Sequence, residues 1–229
     1  MLPKNKDAEN TSDEIAANLS EEIAQLQLKA FSTQMNPHFV FNALAAVQYF
    51  ITSGDKKASL FYLSVFSKLI RYYLKQIDKN SVLLIEEIGM INAYLTLQKL
   101  RYKNQFDYHI HPNLEIAKNA SIPPFILQNL FENIIEHAIH NQYKNYRMEV
   151  TFETSPKKVI ALINFSYEEG SGKTINYIPD YRKQLIKWQE QIRQHNSCKN
   201  YSIKKKITFN KNYDGKGGKI SLSLPNLSK

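Results

Sequence analysis

Apolar residues recur at three- and four-residue steps through the first hundred positions, then at two-residue steps through much of the rest. Ile15, Leu19, Ile23, Leu26 and Ala30 form one narrow stripe, of the width found in a coiled-coil seam. Thr11-Ser-Asp-Glu14 before it has the spacing of a capping box. The stripe continues through Pro37 into Leu44, Val47 and Phe50, and Gly54-Asp55 ends it. This predicts a long amphipathic helix interrupted at Pro37, where proline costs about 3 kcal/mol in a helix interior. A second helix is expected over 57–76, with Leu60, Leu63, Phe66, Leu69, Ile70 and Tyr73 on one face. The two form an antiparallel hairpin. A hairpin buries one stripe per helix, so two copies are expected to close a four-helix bundle. A third helix is expected over 85–102.

The period then changes. Strands are expected over 106–110, 147–153, 159–165, 203–209 and 219–224. Helices are expected over 124–141, where proline suits the first turn, and over 180–195. Residues 168–174 read as a loop. The pattern gives an α+β chain: a polar, disordered start over 1–10, helices over 11–103 and an α/β sandwich over 104–229.

Composition narrows the classes. With 43% hydrophobic residues the chain can bury a core. The single cysteine, Cys198, excludes an internal disulfide framework and suits a reducing compartment. Its flanks, Asn196-Ser197 and Lys199-Asn200, read as a polar loop. No run reaches the roughly 18 apolar residues of a spanning helix, so a cytoplasmic location is expected. The net charge is +9, and residues 174–229 carry all of that surplus. A basic surplus attracts anions. Without zinc-ligand spacings or a recognition-helix pattern, direct nucleic-acid binding is not expected.

Three stretches carry chemistry. In Gln34-Met-Asn-Pro-His-Phe-Val-Phe-Asn42 a costly proline precedes His38, and histidine keeps a usable neutral nitrogen near pH 7. In Pro123-Pro-Phe-Ile-Leu-Gln-Asn-Leu-Phe-Glu132-Asn133-Ile-Ile-Glu136-His137, a helix face of Glu132, Asn133, Glu136, His137 and His140 lies opposite Ile126, Leu127, Leu130, Ile134 and Ile135. An asparagine there offers Mg²⁺ a neutral oxygen ligand. A metal bound by His137 and His140 lacks a clear third ligand. Glu168-Glu-Gly-Ser-Gly-Lys-Thr174 ends like a phosphate loop, but Tyr167 stands where that pattern needs glycine.

In this order the stretches resemble the LytS-like sensor histidine kinases. The resemblance runs from about Leu26 to Gln142. It takes in the Asn36-Pro-His-Phe39 core, Leu69-Ile-Arg-Tyr72, Glu86-Glu87, Tyr94-Leu95, Gln98-Lys-Leu-Arg101 and Ile122-Pro-Pro-Phe-Ile-Leu-Gln128. It implies a homodimer that binds ATP and Mg²⁺ in a sandwich of the histidine-kinase ATPase type. It implies His38 as the phosphoacceptor, with transfer onward to an aspartate of a response regulator. Asn133 would be the metal ligand. Glu132, Glu168, Gly170 and Gly172 would contact the nucleotide.

The chain also departs from that pattern. Glutamate stands for the usual aspartate at Glu168, no glycine lies between Lys173 and Tyr181, and Glu136 replaces a lysine. These changes imply a retained fold with altered nucleotide loops. A degenerate relative, pairing with a full-length kinase of the family or accepting phosphate in trans, is the competing expectation. Family members often carry a membrane-embedded sensor ahead of this region, so a truncated or partner-dependent protein is expected.

Overall fold

The computed structural model describes residues 37–103, 105–111, 119–169, 181–212 and 215–228. The expected disorder over 1–10, the capping box at Thr11, the Ile15 to Ala30 stripe, and Gly170 and Gly172 lie outside the described residues, as does the chain entering Pro37.

Helix α1, Pro37–Thr52, and helix α2, Lys56–Gln76, form the hairpin. The turn between them needs Gly54, whose φ is +76°, a region glycine occupies without steric cost. Asp55 then caps α2, its side chain accepting from the Ala58 amide at 2.9 Å. The buried stripe of α2 is Ser59, Tyr62, Phe66, Leu69, Tyr73 and Gln76, which differs from the expected face. Leu60 and Leu63 point outward, 59% and 44% exposed. Tyr62 and Phe66 take the inner side because they meet the rings of α1: Phe50 lies 5.9 Å from Tyr62, and Phe39 lies 6.3 Å from Phe66.

Strand β1, Val82–Leu83, leads into α3, Leu84–Arg101. Acids in the first turn of α3 and bases in its last match the helix dipole. Strand β2, Phe106–His111, and short strand β3, Ser121–Ile122, precede α4, Ile126–His140. Strands β4, Lys144–Thr154, and β5, Lys158–Glu168, follow, then α5, Tyr181–Cys198, and strands β6, Lys204–Asn212, and β7, Gly215–Pro225. Cys198 therefore ends a helix rather than sitting in a loop, and it is exposed.

The main sheet has the order β2-β4-β5-β7-β6, and only β2 and β4 pair in parallel. Parallel neighbours need a crossover, and α4 supplies it. β1 and β3 form a separate antiparallel pair. Burial alternates along β4 and β5. One sheet face is therefore covered by helices and the other faces solvent. β5 runs to Glu168, so this residue is the Cα partner of Lys144 at a strand end and not part of a loop. Buried residues of α1 to α3, α4 and the sheet join in one core cluster. Helix α3 is the shared wall, packed on both α2 and α4.

Candidate functional site

Helix α4 organises the site. Its apolar residues Ile126, Leu127, Leu130, Phe131, Ile135 and Ala138 are buried. The chain enters through buried Pro123 and Pro124, and Phe125 at the N-cap has φ +65° with no side-chain cap. Asn133 follows two turns later and is 8% exposed. Its Nδ2 donates to the Asn129 carbonyl at 2.6 Å. Its Oδ1 is buried and has no hydrogen-bond partner. Buried polar atoms in folded proteins are almost always satisfied, so this oxygen calls for something beyond the chain's own donors.

The five polar residues expected on one face of α4 divide between two. Glu132 is buried, and its charge acts on the tyrosines of α2 and α3, Tyr73 and Tyr94. Glu136 accepts from the Tyr102 hydroxyl at 3.3 Å. Burial, then the Glu136 charge, raises the Tyr102 phenol. Asn133 and His137, one turn apart, instead line a cavity between α4, α5 and the sheet. Residues three or four apart share a helix face, whereas neighbours do not. That is why Glu132 and Asn133 diverge. Burial, and secondarily His140, lowers the His137 imidazole below its usual range.

The cavity is about 170 Å³ and is walled by rings. Tyr143 and Tyr167 stack at 3.8 Å, with Tyr146 and Phe165 further along the same tier at 6.2 Å from one another. Trp188 of α5 is 1% exposed and donates from Nε1 to the Ile126 carbonyl at 3.1 Å. The Lys205 ammonium sits 4.6 Å above the Trp188 ring, and burial lowers its pKa. Gly218 makes room for Phe165. A Cβ there would lie 2.8 Å from the Phe165 ring and 2.4 Å from the Thr208 carbonyl.

The sequence-predicted residues are thus partly assembled. Asn133 lines the cavity, Glu132 does not, and Glu168 is exposed at the end of β5. Beside it, Glu169 pairs with Lys216. His38 lies in the first turn of α1. The next residue, Phe39, is 3% exposed and packs 5.2 Å from Tyr94 of α3. The motif is therefore anchored to the core through Phe39. The aromatic tier and Lys205 were not foreseen. The usable signal was the alternation of Phe165 with Tyr167 and of Lys205 with Ile207 and Phe209, which directs each set to one sheet face.

Two donor tests bear on the cofactor set. Asn133 Oδ1 is a hard neutral oxygen of the type Mg²⁺ accepts. The cavity behind it is smaller than the roughly 300–1,000 Å³ usual for ligand pockets. The asparagine oxygen fits a magnesium ligand.

Residues 26–106 match a family model described as histidine kinase. Among curated proteins, the sensor protein LytS of Staphylococcus epidermidis is 35% identical over 124 residues, covering 54% of this chain and 21% of that protein. LytS of Streptococcus mutans is 34% identical over 140 residues, covering 58% and 23%. Among solved structures, the Acinetobacter baumannii histidine kinase AdeS aligns with 83% of this chain and 98% of its own, at 14% identity and a TM-score of 0.41. The chain spans between a fifth and a quarter of the length of these two LytS relatives. The chain is thus similar to histidine kinases over residues 26–106, and to part of the LytS sensor proteins.

Proposed function

We propose that the chain acts in two-component signalling as a homodimeric protein-histidine kinase, with His38 as phosphoacceptor and a response regulator as the onward partner. The observation that carries this reading is the buried, unpartnered Asn133 Oδ1 on a helix that lines a cavity. Asn133 holds the metal. Glu168, Gly170 and Gly172 are the further residues proposed to face the nucleotide; Glu132, turned towards Tyr73 and Tyr94, is left out of that set. ATP with Mg²⁺, when bound, supplies the phosphoryl group and neutralises its charge. A neutral ring nitrogen of His38 takes up that group, forming a P–N bond as the P–O bond to the leaving ADP breaks. The imidazole releases its proton, and a regulator aspartate later receives the phosphoryl group.

The chain's own part is mostly positioning, which is where catalysis of this reaction lies. Phe39 fixes the motif helix to α3, and α3 is also packed on the Asn133 helix. Dimerisation is supported by apolar side chains left on the outer faces of the hairpin, Phe41 at 70% and Leu60 at 59% exposure. Contiguous exposed apolar surface marks an association site. The proposed location is cytoplasmic. No helix among the described residues is long and apolar enough to cross a membrane.

A second reading is favoured by the ring-filled cavity. In it the chain binds no ATP, pairs with an active kinase of the family and accepts phosphate on His38 in trans. One experiment separates the two. The purified chain is incubated with γ-labelled ATP and Mg²⁺, alongside His38→Gln. Label on the native chain and none on the variant supports autophosphorylation. Absence of label, with no calorimetric ATP·Mg²⁺ binding, overturns it in favour of the second reading.

A further inference from the structure

Glu87 is the most deeply buried acid among the described residues, with no solvent exposure, although it lies in the first turn of α3 beside Glu86, which pairs with exposed Lys75. The Tyr72 hydroxyl of α2 donates to its Oε2, while its Oε1 is buried without a partner. The Phe125 backbone N–H, at the entry to α4, lies near enough to favour the charged carboxylate, without a hydrogen bond to it. Phe125 is the residue in the left-handed region, and α4 lacks a side-chain cap of its own. The Phe125 ring stacks on Tyr73 at 5.0 Å with an interplanar angle of 7°, and meets Tyr72 edge-on at 6.1 Å. Two consecutive residues of the hairpin therefore grip the entry to α4. Tyr73 does so through the Phe125 ring, and Tyr72 through both that ring and Glu87.

A carboxylate at a helix N-terminus meets the positive end of the helix dipole. Here the acid comes from a different helix and is itself held by a third. A burial this complete is costly for a charge. A capping role that an N-cap serine or aspartate could fill from the surface does not require it. The arrangement does tie three elements at one point: the hairpin that carries His38, the wall helix α3, and the helix that carries Asn133.

We propose that Glu87 is a positioning residue, bonded to Tyr72 on the hairpin, whose ring together with that of Tyr73 meets Phe125, so that this cluster sets the first turn of α4 and hence Asn133 according to the state of the hairpin. This rests on the phosphoryl-transfer reading for its consequence, but the joint itself is a property of the fold. A rotation of α2 that withdraws the Tyr72 hydroxyl leaves Glu87 buried with one donor fewer, and the entry to α4 loosens.

The test uses the full chain and reads amide hydrogen exchange in α4. Tyr72→Phe keeps the ring and removes only the hydroxyl. It is expected to speed exchange of the amides of residues 126–129 by about tenfold, the size of a lost hydrogen bond to a charged group. Glu87→Gln retains an acceptor for Tyr72 and is expected to keep most of the protection, whereas Glu87→Leu loses it. A core variant outside the joint, Val150→Ala, matched for loss of Tm, serves as control and should not single out those amides. The same variants are then titrated with ATP·Mg²⁺, where Tyr72→Phe is expected to weaken binding about fivefold or more if the metal ligand is displaced. Exchange within twofold of native in both Tyr72→Phe and Glu87→Leu overturns the joint. Faster exchange with unchanged nucleotide affinity overturns its link to Asn133. If the native chain binds no nucleotide, the kinase reading fails, while the exchange arms still decide whether the hairpin sets α4.

Discussion

The hairpin and the sandwich solve opposite problems. The α1–α2 hairpin has more apolar surface than it can cover: Phe41, Leu44, Leu60, Phe61 and Leu63 are all exposed. The space between α4, α5 and the sheet is lined instead by stacked rings around a cavity of about 170 Å³. Surplus surface points outward to a partner, since the gain from covering it is available only on association. A crowded interior points inward, because each added ring contact stabilises the chain alone and leaves less room. Association and ligand binding should therefore be separable by substitution.

The sharpest break of that contrast is Phe39→Ala. Phe39 is the point at which the hairpin stops being surplus and becomes core, and losing it should cost about 3–5 kcal/mol in urea unfolding. A cost no larger than that of Phe41→Ala would mean the motif is not anchored through Phe39. Next in size is Tyr167→Ala, expected to destabilise by about 2–3 kcal/mol because the ring is partly buried. If crowding limits the site, the same variant should tighten binding of adenosine measured by calorimetry. Unchanged or weaker binding would remove crowding as the limit.

Gly218→Ala should cost about 1–3 kcal/mol, since its Cβ has no room beside Phe165 and the Thr208 carbonyl. Gly89→Ala on α3 is the counterpart, with nothing within 4 Å of the added Cβ, and should stabilise by about 0.5–1 kcal/mol. Thermal melts of the pair measure directly how much tighter the sandwich is packed.

Glu87 gives the joint between the two regions a pH signature. Burial raises its pKa to about 7, against the Tyr72 hydroxyl and the Phe125 amide, which favour the charged form. The Glu87 charge in turn raises the phenols of Tyr72 and Tyr73. A folded-state pKa above the unfolded one means that the folded chain holds the proton more tightly. Its stability contribution is complete below about 4.5 and is lost as pH rises toward 7. The slope is at most about 1.4 kcal/mol per pH unit. Glu87→Gln should flatten it, as followed by denaturant melts at several pH values. A slope unchanged in the variant would assign the titration elsewhere. The smallest effect on folding is expected from Leu60→Lys with Leu63→Lys. The melt of the dilute monomer should shift by under about 0.5 kcal/mol per site, yet sedimentation should show the dimer gone. A dimer that survives both lysines would place the interface elsewhere.

Much of the architecture was visible in the sequence. Three helices, a change of period near residue 104 and the later strands stand close to where alternation and helical spacing put them. What periodicity cannot tell is which stripe faces in. Leu60 and Leu63 carry as strong a pattern as Tyr62 and Phe66, because a stripe meant for a partner is written in the same residues as a core. Strand β5 was read three residues short because Ser166, Tyr167 and Glu168 look like the polar start of a loop. Pairing with Lys144, Ser166's partner Arg147 and β7 holds them in the sheet. For the site, Asn133 was legible as a candidate, while its separation from Glu132 depended on which helices flank α4. Glu87 was hidden altogether, since paired acids in a first helical turn usually sit in water. Only the overhead position of Tyr72 and Phe125, set by tertiary packing, buries one of the two.

Trp188 has a use of another kind. It is the chain's single tryptophan among fourteen tyrosines. It is closed off from solvent, bonded to the α4 backbone and lies under an ammonium group. Red-edge excitation selects it alone, so the unlabelled protein carries an optical gauge of one seam. Its emission colour follows the opening of α5 from α4. Its intensity follows Lys205, because a nearby cation alters indole emission. Ligand entry, loosening of the helix and withdrawal of the lysine would each leave a separate trace in the same spectrum.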